Sequence, residues 1–275
     1  MKIGFSPCPN DTFIFDALIH QKVDTEGLEF EPIMADVKEL NTMAFHGELP
    51  ISKLSFHAFA HLIEKYVLLD AGSALGFGCG PLVISKDAID PRDMSTKKVA
   101  IPGIYTTANF LLSLAYPEIK AKEVMLFSEI ENAVLNEACD AGLIIHENRF
   151  TYEEKGLRKI KDLGAYWEEN YHAPIPLGGI MVRRDVELEI AQRIERSIRR
   201  SVEYAFKNPE DSAGFVRQHA QEMSVEVQRQ HIELYVNEFS ISLGEKGRQA
   251  VRLLFEKARE LKIIPASNKS IFLAS

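Results

Sequence analysis

The feature that most constrains this fold is a unit met three times: a short apolar strand, a turn carrying hydroxyls or amides, then a helix start. It reads SPCPNDTF at residues 6–13, SKLSF at 52–56 and PGIYTTANF at 102–110. Pro7 and Pro9 cannot donate to a strand ladder, so the first strand ends there. The helix that follows carries Phe13, Ile14, Ala17 and Leu18 as an apolar stripe, and the second helix carries Phe56, Phe59, Ala60 and Ile63. Asn10, Asp11 or Thr12 is expected to cap the first helix, Ser55 the second, and Thr106 or Thr107 the third. Strands alternating with helices in this way imply α/β layers.

The order of the units divides the chain. Strand and helix alternate from residue 2 to about residue 85, pause at KDAIDPRDMST, and restart at KKVAIPG. The stretch EVMLFSEIENAVLNEACDAGLIIH predicts strand, helix and strand, and GGIMVRRD predicts another strand. Helical periodicity then takes over at 186–208, 209–219, 224–236 and 245–261. The expected architecture is two α/β lobes. Residues 1–88 and 178–275 form the first, residues 89–177 form an inserted second, and two crossover segments flank a ligand cleft.

Hydrophobic residues make up 46% of the 275, enough for a large core. The net charge of −8 and the lack of a basic run argue against nucleic acid or an anionic membrane as partner, while a small anion remains open. No stretch approaches about 20 apolar residues, and Met1–Lys2 runs straight into a strand, so neither a membrane span nor an export leader is expected. Cys8, Cys79 and Cys139 lie far apart and are odd in number, which suits thiols in a reducing cytoplasm.

In α/β sheets ligands bind beyond the carboxyl ends of strands, where helix N-termini present unpaired N–H groups and partial positive charge. Ser6, Asn10, Thr12, Ser52, Ser55, Thr106 and Thr107 are accordingly expected to edge one polar cleft, with Lys53 adding a full charge. A serine or threonine before a helix is most often a simple cap; three such mouths together with His146 make the joint case. His146 ends the apolar run GLIIH, which reads as a buried strand. An imidazole at the carboxyl end of such a strand can accept a proton near neutral pH. Other candidates are weaker. Cys8 with His146 lacks any covalent-catalysis signature, and His57 with His61 in HAFAH lacks the glutamate of a zinc motif, so no metal is expected. Gly72, Gly76, Gly78 and Gly80 do not form GxGxxG before a helix.

Taken together and in order, SPCPNDTF, SKLS, PGIYTTA and GLIIHE resemble the 1,4-dihydroxy-6-naphthoate synthase family of the futalosine route to menaquinone. The resemblance spans the whole chain, its first and last motifs are specific, and no motif departs from the family pattern. It implies a two-lobed, periplasmic-binding-protein-like fold of type II working in the cytoplasm. It also implies a lyase acting on cyclic de-hypoxanthine futalosine without cofactor or metal. On this resemblance His146 is the general base, and Lys53, Leu54, Ser55, Thr106 and Thr107 match the substrate-contact stretches. A small-anion sensor of the same fold and a chorismate dehydratase-like enzyme are the competing readings. The apolar C-terminal helices leave a homodimer open.

Overall fold

A computed structural model describes residues 1–220 and 224–274. The chain forms two compact units, Met1–Gly76 with Pro176–Ser275, and Phe77–Ile175. Its first segment contains β1 (Lys2–Phe5), α1 (Pro9–Ile19), β2 (Glu31–Met34), α2 (Val37–His46), β3 (Ile51–Ser55), α3 (Phe56–Leu62), β4 (Tyr66–Leu68) and β5 (Ala74–Gly76). The second unit contains β6 (Leu82–Ser85), β7 (Val99–Ile101), α4 (Thr107–Ala115), β8 (Lys122–Val124), α5 (Ile130–Leu135), β9 (Ala141–Ile144), α6 (Asn148–Thr151), β10 (Arg158–Asp162) and α7 (Leu163–Tyr171). The chain returns through β11 (Ile175–Arg183) into α8 (Leu188–Lys207), α9 (Ala213–His219), α10 (Val225–Tyr235), α11 (Glu238–Ile241) and α12 (Gly244–Glu260).

The sheet of the first unit runs β2-β1-β3-β11-β4, with β5 also paired to β11. β1 is parallel to β2 and β3, whereas β11 is antiparallel to β3 and β4. The carboxyl ends of β1, β2, β3 and β4 therefore share one edge. Every residue of β3 is buried, as expected for a central strand with both faces covered. Its apolar core gathers Ile3, Phe5, Phe15 and Ile51 with Ile194, Ile198 and Val202 of α8. The rings of Phe5 and Phe15 stack with centroids 4.4 Å apart.

The first helix differs from its sequence expectation. It begins at Pro9 with Cys8 as N-cap and no side-chain cap bond, and it is buried from Pro9 to Leu18 rather than along one stripe. Proline suits the first helical position, because its missing N–H would be unpaired there anyway. All-round burial follows from α8 lying over the outer face. Ser201 of α8 accepts from the Leu18 N–H at 2.9 Å and donates to the Ile14 carbonyl at 2.6 Å.

The second sheet runs β10-β6-β9-β7-β8. β7 is parallel to β8 and β9, while β6 is antiparallel to both β9 and β10. This pairing moves the unit boundary to Gly76/Phe77, ahead of the expected 88/89, because residues 82–85 are a central strand of the second sheet. The return falls at Ile175/Pro176. Two glycines permit the packing. A Cβ on Gly142 of β9 would lie 2.6 Å from Ile130 Cγ2 of α5, so glycine lets α5 sit close to the strand. A Cβ on Gly80 would lie 2.2 Å from the Gly164 Cα, where the entry to β6 crosses the start of α7. None of the cysteines forms a disulfide, and all three are buried. No helix among the described residues is long and apolar enough to cross a membrane.

Candidate active site

Each sheet has a point where the chain's path reverses direction across it, and there α/β folds hold ligands. In the first sheet it lies between β1 and β3: β1 leads outward to β2, and the next strand returns to the other side of β1. Ser6 follows β1 directly, and Lys53 and Ser55 end β3. In the second sheet the reversal lies between β7 and β9, with β8 outside β7. Thr106 and Thr107 open the helix after β7, and His146 stands two residues beyond β9.

Around β1 and β3 the buried polar side chains form an Asp11-centred network and, at the end of β3, a Ser55–Asn41 pair. Asp11 is the hub of that network. Its Oδ2 accepts from the Ser6 N–H at 3.1 Å and the Ser6 hydroxyl at 2.7 Å. Its Oδ1 accepts from Asn10 Nδ2 at 2.9 Å and Lys53 Nζ at 2.8 Å. Lys53 donates also to the Gly72 carbonyl at 2.9 Å, and its side chain is only 8% exposed. Asn10 Oδ1 lies 2.9 Å from Nε2 of the fully buried His231 on α10. Ser55 is the N-cap of α3 without a side-chain cap bond. Its hydroxyl accepts from Asn41 Nδ2 and its N–H donates to Asn41 Oδ1, each at 3.1 Å.

Several expectations change here. Lys53 does not stand as a bare positive charge, because Asp11 neutralises it. The Thr12 side chain is fully buried and its hydroxyl donates back to the Cys8 carbonyl at 3.0 Å, a bond internal to α1. The Leu54 side chain is fully buried within β3. The Ser52 hydroxyl, also fully buried, donates to the Lys53 carbonyl at 3.3 Å. Thr12, Leu54 and Ser52 thus offer no side-chain surface, while Ser6, Asn10 and Lys53 meet at Asp11 and Ser55 pairs with Asn41.

In the second unit Thr106 is the N-cap of α4. Its hydroxyl accepts from the Asn109 N–H at 3.2 Å and donates to the Gly103 carbonyl at 2.8 Å. Thr107 is the first helical residue and is buried, with exposed Ile104 and Tyr105 in the loop before it. His146 is half-buried, and its ring meets Phe127 edge-on with centroids 5.2 Å apart. Its φ is +57°, in the left-handed region. Gln21, Glu137, His172 and Lys262 share that sign at helix C-termini, where a left-handed residue is the usual stop. His146 instead follows a strand and precedes a helix, in a conformation that costs a non-glycine residue on the order of 1–3 kcal/mol.

The family described as "Menaquinone biosynthesis" matches residues 1–260 of this chain. The chain belongs to that family. A relative in Thermus thermophilus, named 1,4-dihydroxy-6-naphthoate synthase, is 44% identical over 273 residues, covering 99% of each chain. A solved protein from Archaeoglobus fulgidus superposes with a TM-score of 0.90 at 36% identity, over 96% of this chain and 98% of its own. A ligand-binding component of an ABC-type import system from Staphylococcus aureus reaches a TM-score of 0.70 at 14% identity, over 100% and 96% of the two chains. The fold is thus periplasmic-binding-protein-like, as the sequence motifs imply.

In this family member the residues that sequence reasoning missed are the partners of the named ones. Asp11 reads in the sequence as a helix-cap candidate, yet it organises Ser6, Asn10 and Lys53. Asn41 and His231 carry no local signal, since each acts across the sequence on a residue of another element: Asn41 on Ser55 and His231 on Asn10.

Proposed function

We propose that this protein is a 1,4-dihydroxy-6-naphthoate synthase, a cytoplasmic lyase converting cyclic de-hypoxanthine futalosine to 1,4-dihydroxy-6-naphthoate without cofactor or metal. The observation that carries this reading is the 44% identity to the Thermus relative across 99% of both chains. The position of His146 beyond the carboxyl end of β9 supports it chemically.

His146 acts as general base and removes a carbon-bound proton made acidic by a neighbouring carbonyl. The resulting enolate collapses, its electron pair breaks the bond to the spiro-linked sugar portion, and aromatisation of the naphthalene ring drives the step. A ribose-derived fragment leaves. The first turn of α4, opened by Thr106 and Thr107, presents backbone N–H groups at the positive end of the helix dipole and suits the aryl carboxylate. The Ser55 hydroxyl and neighbouring N–H groups stabilise the developing oxyanion. Lys53, already paired with Asp11, orders Ser6 and Asn10 through that carboxylate.

Incubating the purified full chain with cyclic de-hypoxanthine futalosine tests the reading. The naphthoate chromophore should appear. Substrate that binds and is recovered unchanged would mark a binding protein instead.

A further inference from the structure

The turn that carries His146 is clamped immediately after the imidazole. Asn148 Nδ2 donates to Glu131 Oε2 at 2.8 Å, and both side chains are buried. Glu131 stands on α5, the helix that packs against β9 over the bare Gly142, so it belongs to the same element that supports the strand leading to His146. Lys155 Nζ donates to the same Glu131 oxygen at 2.5 Å, so the carboxylate has a counter-charge. One residue on, Arg149 donates to the Gly80 carbonyl and, at 2.9 Å, to Asp162 Oδ2. Burying a carboxylate and an amide in this way contributes little net stability, since an apolar pair would pack there at lower desolvation cost. What the pair supplies is direction: the left-handed backbone at His146 is fixed by a hydrogen bond two residues later.

We propose that Asn148, held by Glu131, is a positioning residue that aims the His146 imidazole. The proposal rests on His146 acting as base. It adds that the geometry of the base is set by a buried amide–carboxylate bond rather than by the strand end alone.

Full-length variants test it, with kcat, KM and thermal melting as readouts. Asn148→Ala should lower kcat about 10- to 100-fold, the scale of a misplaced catalytic group, and leave KM within about two-fold of wild type. Asn148→Asp sets carboxylate against carboxylate and should lose at least as much. Adding Glu131→Gln to it restores a donor facing an acceptor, with the amide now on α5, and should recover kcat about ten-fold. The Asn148→Ala loss should vanish in a His146→Ala background, because nothing remains to be aimed. The proposal is overturned by an Asn148→Ala protein with wild-type kcat, by the same fold loss in the His146→Ala background, or by a double variant no faster than Asn148→Asp. If Asn148→Ala does not melt like wild type, the Asn148→Asp and double variants decide. His146→Ala separates the two ideas. Normal turnover there removes the base itself, whereas an inactive His146→Ala beside a fully active Asn148→Ala removes only the aiming role.

Discussion

Removing the Asp11 carboxylate should destabilise the first unit far more than removing it together with its partner. Asp11 and Lys53 have side chains 3% and 8% exposed, with Oδ1 and Nζ 2.8 Å apart. In Asp11→Ala the ammonium keeps only the Gly72 carbonyl, and the Ser6 and Asn10 donors lose their acceptor. Breaking a buried pair by deleting one partner costs about 3–5 kcal/mol. An effect of about 3–5 kcal/mol therefore corresponds to a fall in Tm of roughly 6–20 °C for a unit of this size. Asp11→Ala/Lys53→Met removes the stranded charge and should regain about 2 kcal/mol or more. Far-UV circular dichroism during urea or thermal unfolding reads the loss. Fluorescence of the single tryptophan, Trp167, reports the second unit and serves as an internal control. Stability of Asp11→Ala within about 1 kcal/mol of wild type, or a double variant as weak as the single, would refute the pairing and leave Lys53 as an unneutralised cation.

Two further outcomes follow from shifted titrations. Burial pushes the Cys79 thiol up to about 12, against an ordinary 9.0. At a pH well below 9 its thiolate is about a thousand-fold scarcer than for an unburied thiol, so iodoacetamide should label Cys79 only on unfolding. Rapid native labelling, located by peptide mass mapping, would contradict the burial. Hydrogen bonding from Arg196, with Arg200 adding to it, holds the Glu26 carboxyl at about 2 instead of 4.5. The folded state thus resists protonation that the unfolded chain accepts near 4.5, so this contribution is present above that pH and fades as pH falls toward about 2. The stability gap between wild type and Glu26→Gln, from urea midpoints at several pH values, should narrow steadily below that upper value; a gap independent of pH would count against it.

Much of the fold is legible in the chain. The long C-terminal helices announce themselves by period, and the three strand–turn–helix units fall where the turns put them. β10 does not. Its sequence, RKIKD, places Arg158, Lys159, Lys161 and Asp162 in an edge strand, which natural proteins charge to block further pairing, so no apolar alternation marks it. The unit boundary at Gly76/Phe77 is hidden for a related reason. The run from Tyr66 to Ser85 looks like neighbouring strands, but β5 pairs with β11 and β6 with β9, in different sheets. At the candidate site, the helix mouths and the histidine at a strand end could be read from local pattern. Asp11, Glu131 and the left-handed backbone of His146 could not, because each depends on contacts made only when distant elements meet.

The most direct measurement of the central claim is turnover by full-length His146→Ala, with and without added imidazole. The account predicts a protein that melts like wild type, forms naphthoate about 10²–10⁴-fold more slowly, and regains part of that rate when imidazole supplies a base in solution. A folded His146→Ala protein turning over at the wild-type rate would contradict it.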